Sequence, residues 1–466
     1  MKNKGAIITL VLVFGLIFLI LLGGLFSFIL LQLKYSTQRL AWNEALHIAE
    51  AGINYYHWCL NNEVEGQCQL LKEYFDPEGN QIGEFSLEVI STTSCGEIIE
   101  RKISSIGWTD NFPQTNREIS VLYARTSVAK YTYLLNDNVW AGADREIRGP
   151  YHSNGGIRMD GENQSLATSA SPNGEWICTS SFGCSPCPIS AGCRIDGGNC
   201  ICPGVFTTTN NSNPDLFDFP VTSFNFDGIT IDLAQMKIVA QPYLPPAVDI
   251  DPQGDGYHII FKQDGTFEVW IITGLEATNA YSIEEGWHDD YFIITSEYFY
   301  GTYSVNSDCS VIFIEDNLWV EGKVQGKITI ASANLIETDI DTDVILLGDI
   351  EYTVTDGSDG LAVIAEKNIL ISPDSPNQME LRGIFVAQKG HFGRNHYPGN
   401  MKDKLEITGS IVSNGRVGTK WTSGSFVVSG YLKRENYVDS SLIYSPPPFV
   451  PYAEYDFRIL KWEEVE

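Results

Sequence analysis

The sequence predicts a mainly β protein: one long N-terminal α-helix, a small antiparallel sheet, and a right-handed parallel β-solenoid with a cysteine-rich insertion. Three observations predict it. An uncharged apolar run opens the chain, period-two alternation occupies residues 82–125, and short strands with turn glycines recur from about residue 138 onward.

The apolar run spans Ala6 to Leu33, 28 residues in which only Thr9, Ser27 and Gln32 are polar. At about 1.5 Å per residue it reaches roughly 42 Å as a helix, longer than the ~30 Å hydrocarbon layer of a bilayer. A cleaved secretory signal is the alternative, but its apolar core is shorter and a small-residue cleavage site follows it; none follows Leu33. Lys2 and Lys4 precede the run, which directs the short N-terminus inward and the rest across the membrane. The expectation is a single-pass inner-membrane protein with an extracytoplasmic C-terminal domain. The apolar pattern continues past the membrane as Ala41/Trp42, Ala45/Leu46, Ala49, Gly52/Ile53 and Tyr56. One helix over about 6–61 is therefore predicted, its second half amphipathic.

Charge is divided unevenly. Residues 1–43 carry four bases and no acid, so the other 423 residues hold −33 against −29 for the whole chain. Such a surface excludes nonspecific nucleic-acid binding and electrostatic adhesion to anionic lipid. Six of the ten cysteines lie within 25 residues: Cys178, Cys184, Cys187, Cys193, Cys200 and Cys202. Outside the cytoplasm such a cluster reads as a disulfide framework. Zinc is the rival, because Cys184-x-x-Cys187 has a ligand-like spacing, yet no second CxxC or histidine pair accompanies it. No metal and no cofactor is expected. Cys59, Cys68, Cys95 and Cys309 are scattered; a Cys59–Cys68 bridge would close a short loop.

Along the chain the reading is a leader-like segment (1–5), the helix (6–61), a small α+β stem domain (62–137), a first solenoid coil (138–161), the cysteine-rich insertion (162–205), a mixed β insertion (206–310), the solenoid (311–440) and a proline-rich C-terminal cap (441–466). Gly149-Pro-Tyr-His-Ser-Asn-Gly155 and Gly409-Ser-Ile-Val-Ser-Asn-Gly415 share the pattern G-x-x-x-S-N-G. Gly322, Gly348, Gly383 and Gly409 are spaced by 26, 35 and 26 residues. Glycine suits a corner where φ is positive, and second strands are expected at Lys327–Ile330, Asn368–Ile371 and Arg416–Val417. These features predict that 139–161 and 311–440 share one stack, with Ile411 inward and Glu406 outward. An irregular β-sandwich is the competing arrangement. Gln263-Asp-Gly265 marks a hairpin, and the prolines near 446–451 lay the tail across one end of the stack.

Lys2-Asn-Lys-Gly5, the apolar run from Ala6, and Ala45-Leu-His-Ile-Ala49-Glu50-Ala51-Gly52 resemble the N-termini of type IV pilins. The resemblance is especially to minor pilins with a PilX-type N-terminal segment, and the later chain resembles the solenoid-bearing ectodomains carried on such stems. The resemblance implies processing between Gly5 and Ala6 by a prepilin peptidase, N-methylation, and helix-bundle assembly with other pilins or pilus assembly proteins. The function expected is a structural or adhesive subunit of an extracellular pilus, whose aromatic-rich surface (ten Trp, 22 Tyr, 23 Phe) and repeats present a binding face to a surface glycan or protein ligand. Two departures stand out: Ala6 where major pilins prefer Phe, and Leu10 where most have a glutamate.

No catalytic residue is expected. G-x-G-x-x-G, P-loop, G-x-S-x-G and H-E-x-x-H patterns are absent. His391-x4-His396 reads as a surface turn. Asp249-Ile-Asp-Pro-Gln-Gly-Asp-Gly256 is similar to the start of a calcium loop but has Ile260 in place of the closing glutamate. Glu337-Thr-Asp-Ile-Asp-Thr-Asp343 reads as a solvated acidic loop. The alternative function is a membrane-anchored β-solenoid carbohydrate-active enzyme, a polysaccharide lyase or hydrolase, using Asp349, Glu351, Glu366 or Glu406.

Overall fold

The computed structural model describes residues 4–62, 64–226, 232–240, 242–305, 309–336, 340–424 and 426–465. They form two compact units: Met1–Thr93 with Ile98–Ala124 and Asp456–Glu466, and Ser94–Glu97 with Arg125–Tyr455.

The first unit starts with one continuous helix, Lys4–Asn61. Among the described residues it is the one helix long and apolar enough to cross a membrane, by length and composition. Its first half is exposed, Leu12 and Leu19 each to 67%. From Ala41 onward one stripe is buried: Ala45, Ile48, Ala49, Ile53 and Tyr56, of which the last four pack with Phe85, Ile103, Ile119 and Tyr123 of the sheet. That sheet runs in the order Leu71–Phe75, Gln81–Ser94, Glu97–Thr109, Phe112–Ser127 and Tyr452–Val465. Buried and part-buried positions alternate along its strands, as a half-covered antiparallel sheet requires. Small residues let helix and sheet approach closely. A Cβ on Gly107 would lie 2.4 Å from the Ala45 carbonyl oxygen and the Ala49 nitrogen. Trp42, grouped with the apolar stripe by spacing, is 46% exposed and lies under the Arg117 guanidinium, 3.5 Å from the ring centroid.

The second unit is dominated by a 21-stranded, mainly parallel sheet. Its strands stack in three parallel ladders. The first passes from Tyr243–Leu244 through Val311–Ile314, Lys327–Ser332, Gly360–Ala365, 384–387 and 411–413. It then continues with Tyr133–Leu135, Tyr151–Ser153, Ala167–Ser169 and Phe217–Asp218. The second joins Gly256–Phe261, Leu318–Val324, Val344–Tyr352, Ile369–Ile371 and Phe392–Gly393. The third joins 378–383, 404–409, 434–437, Arg145–Arg148 and Glu162–Asn163. Inward apolar side chains such as Ile330, Val363, Phe385 and Ile411 form a common core.

Two chain segments meet in these ladders. Residues 133–218 form one end, the chain resumes at Tyr243 at the other, and later strands build back until Ile411 pairs with Tyr133 and Glu435 with Glu146. The repeated S-N-G pattern lies along this join. Asn136 Nδ2 donates to Asn414 Oδ1 at 2.8 Å, and Asn154 Nδ2 donates to Asn136 Oδ1 at 2.7 Å.

Gly383 and Gly409 stand in register with φ of 149° and 142°, and a Cβ on Gly409 would lie 1.8 Å from the Gly383 oxygen. Gly348 departs from the expected corner. Val320 pairs with Leu346 but Gly322 pairs with Ile350, so the later strand carries two extra residues and Gly348 falls inside the irregularity. Arg416–Val417 is not a strand; Val417 is buried and the pairing there is a lone bridge between Gly393 and Gly418. The tail lies along the first ladder, where Thr329 Oγ1 donates to the Pro448 carbonyl and Leu442 approaches Gly360.

Candidate functional site

The hairpin marked by Gln263-Asp-Gly265 pairs Gly256–Phe261 with Thr266–Ser282, and a second, longer hairpin follows. Thr266–Ser282 and Gly286–Ser304 pair antiparallel from Thr266/Ser304 to Ser282/Gly286. Its tip lies over a polar column at one corner of the second ladder. There the backbone N–H of Asp343 donates to Asn317 Oδ1, that of Asn368 to Asp343 Oδ1, and that of His391 to Asn368 Oδ1, each at 2.9 Å. Each of these residues directly precedes a strand or closes the turn before one, where a short polar side chain satisfies a backbone group the ladder leaves over.

Hairpin tip and polar column enclose a cleft of about 240 Å³. Its apolar wall is Leu275, Phe292, Trp319, Ile345 and Leu370, held by Trp319 Nε1 donating to the Phe292 carbonyl at 2.9 Å. Its polar wall centres on Asp290, which is buried and accepts from Asn395 Nδ2 at 2.9 Å and the Tyr397 hydroxyl at 2.8 Å. His288 lies with Nε2 3.0 Å from Asp290 Oδ1 and Nδ1 3.0 Å from the Gly286 carbonyl. Burial opposes the charged ring, but those two acceptors outweigh it and hold His288 above its ordinary range. The rim carries Glu284, 3.4 Å from His391, and Glu285, 3.7 Å from Lys367. The His391 contact holds the Glu284 carboxyl below the usual range, whereas burial pushes Asp343 up.

Behind the hairpin tip the rings of Tyr281, Trp287, His396 and Trp421 pack with centroid separations of 5.5–5.8 Å. Trp287 remains 60% exposed. His391 and His396, read from sequence as one turn, therefore serve two places: His391 lines the cleft and His396 joins the ring cluster.

The residues singled out from sequence are dispersed. Gly5 and Ala6 fall within the Lys4–Asn61 helix. Ala45, Ala49 and Gly52 are buried at the sheet, Ala51 is half-buried, and Glu50 lies 3.2 Å from His47. The cysteine-rich segment holds bonds Cys178–Cys184, Cys187–Cys200 and Cys193–Cys202 around the strands Glu175–Ile177, Arg194–Asp196 and Asn199–Pro203. Cys59–Cys68 and Cys95–Cys309 account for the other four. The sulfur groupings with metal-like proximity, Cys178/Cys184/Cys202 and Cys193/Cys200/Cys202, consist of these bonded sulfurs, which are not thiolate ligands.

Asp349, Glu351, Glu366 and Glu406 do not converge. Asp349 and Glu351 line an open groove with Lys262 and Glu268, while Glu366 accepts from the Asn334 N–H and Lys389. Glu406 belongs to a column with Glu380, Glu435, Glu146 and Glu162 in register. Stacked like charges repel; Lys404, between Glu406 at 2.7 Å and Glu435 at 2.8 Å, offsets this. Lys404 and Lys433 hold the Glu435 carboxyl down at about 2. In the calcium-like segment Asp251 Oδ1 accepts from the Gln253 N–H at 3.0 Å. Residues 337–339 of the acidic run lie outside the described residues.

No family model and no curated protein matches the sequence. Among solved structures, the crystal structure of the competence-associated pilin ComZ from Thermus thermophilus aligns over 91% of this chain and 98% of that chain, with 11% identity and a TM-score of 0.30.

Proposed function

We propose that the chain is a minor-pilin-like surface subunit associated with a type IV pilus, anchored in the inner membrane before or instead of filament assembly. On this reading its three ladders are the faces of a right-handed parallel β-solenoid, which presents an adhesive surface. One observation carries the reading: a single 58-residue helix whose first half is exposed and apolar and whose second half packs on a small antiparallel sheet. A helix built this way serves a lipid or helix-bundle environment at one end and a water-soluble domain at the other. Leu10 leaves the apolar half without the carboxylate that would need a partner in hydrocarbon, which suits a tip or initiating subunit.

The test is N-terminal mass spectrometry of membrane and sheared-filament fractions, with protease added to intact cells. Processing at Gly5–Ala6, recovery with filaments and digestion from outside are expected. An unprocessed N-terminus in protein that is never exposed would refute the proposal.

A second reading, a carbohydrate-active enzyme, is favoured by one feature. Asp343 and Glu284 line one cleft with their carboxyls shifted in opposite directions, the division of labour that acid–base pairs use. Glycan turnover abolished by Asp343→Asn would establish it; binding without turnover is expected.

A further inference from the structure

We propose that the cleft between the hairpin tip and the polar column binds a glycan bearing free amino groups, a hexosamine unit of a surface polysaccharide. The proposal rests on the adhesive reading above and names its site and ligand class.

The first support is the division of donors and acceptors. Several of the side-chain donors lining the cleft are already engaged: both ring nitrogens of His288, the Asn395 amide with Asp290, the Trp319 indole with Phe292, and Lys367 facing Glu285. The carboxylates at the mouth are Asp289 and, each beside one basic side chain, Glu284 with His391 and Glu285 with Lys367. Ionised carboxylates only accept hydrogen bonds, so a ligand that meets this acidic rim is rich in donors, as an ammonium flanked by hydroxyls is.

Charge points the same way. Glu284, Glu285, Asp289, Asp290 and Asp343 face the cleft against Lys367, His391 and the positively biased His288, in a chain of net charge −29. That excess repels uronate, sialate and phosphate polymers and attracts a cation.

The apolar wall separates an amino sugar from a bare cation. A divalent ion takes an oxygen shell and has no use for Phe292, Ile345 and Leu370. The C–H face of a pyranose does, and so does the exposed ring of Tyr291, 53% accessible at the cleft mouth. A volume of about 240 Å³ suits one sugar ring.

The experiment uses the full chain in detergent micelles at mildly acidic pH and isothermal titration calorimetry with four probes. These are a β-1,4-linked glucosamine oligomer, its fully N-acetylated counterpart, an oligogalacturonate and an oligolysine of equal charge. Binding of the glucosamine oligomer is expected, weakened about tenfold or more by N-acetylation. A comparable loss is expected in the double variant Glu284→Gln/Asp289→Asn, with no binding of oligogalacturonate. Tyr291→Ala, an exposed substitution that leaves the ion pairs in place, should weaken sugar binding and spare folding, so the proposal stays testable if the double variant misfolds. Equal affinity for the acetylated oligomer overturns the amine assignment. Oligolysine binding as tight as the sugar overturns the glycan assignment in favour of a basic protein partner. Either result leaves the pilus-associated reading standing; that reading falls only if the protein is absent from the surface, whatever it binds.

Discussion

His258 makes the stability of the second unit depend on pH in a predictable direction. Its imidazole is buried on Gly256–Phe261, with Nδ1 2.9 Å from Glu297 Oε2 on the long hairpin and Nε2 3.5 Å from Glu321 Oε1 on Leu318–Val324. Burial alone would lower its pKa, but the two carboxylates outweigh that effect and push it from 6.5 up to about 9. A group whose pKa rises on folding contributes stability that is full below the unfolded value and is lost as pH passes the folded one. The window is therefore pH 6.5 to about 9. At 1.36 kcal/mol per unit the contribution is about 3 kcal/mol. Urea unfolding followed by tryptophan fluorescence, with disulfides intact, should show the wild type losing this increment across the window. In His258→Gln the extra loss should be missing, so the difference between the two proteins shrinks by about 3 kcal/mol as pH rises. Parallel pH profiles for the two proteins would refute the charged, doubly paired imidazole.

Three further outcomes test the ladders and crosslinks. Gly409→Ala should cost at least about 2 kcal/mol in urea unfolding, because its Cβ meets the Gly383 carbonyl at a φ of 142°. Gly348→Ala should cost less, since the atom it meets is the movable end of Glu321. Ile411→Asp puts an unpaired charge between Phe385 and Tyr133 and should cost about 4 kcal/mol or more; hydrogen exchange should show protection lost at 384–387 and 133–135 as well as at 411–413. Replacing Cys95 and Cys309 by Ser opens a bridge of sequence separation 214 and should lower unfolding stability by up to about 5 kcal/mol, with equal stability in wild type and variant counting against it.

The helix was legible because hydropathy and three-to-four spacing are local properties, readable without knowing what Ala45 and Ala49 touch. The stacked strands were legible through G-x-x-x-S-N-G. A further pattern would have sharpened them: Glu146-Ile-Arg-Gly149, Glu380-Leu-Arg-Gly383 and Glu406-Ile-Thr-Gly409 share E-x-x-G, and their glycines have φ of 159°, 149° and 142°. That spacing marks both the corners and the glutamate column. Gly348 misled because equal spacing along a chain does not count residues absorbed by a strand irregularity. The cleft was not legible. It joins a hairpin tip at 282–290 to Asn317, Asp343, Asn368 and His391, contributed by four separate strand approaches. The one trace of it in the sequence is a polar residue directly before an apolar strand start, as in Asn317-Leu-Trp-Val320 and Asn368-Ile-Leu-Ile371.

The join between the two ladder segments has a consequence for how the protein is made. A chain is synthesised from its N-terminus, so Tyr133–Leu135 and Arg145–Arg148 arrive long before the strands that cover them, 411–413 and 434–437. Until then that flank offers open backbone donors and acceptors to any passing strand, and such distant pairing is intrinsically slow. Folding of this protein is therefore most vulnerable in the interval before residue 437 becomes available. On the proposed extracytoplasmic reading, a holdase on the far side of the membrane should matter more to its yield than to that of a stack built in sequence order.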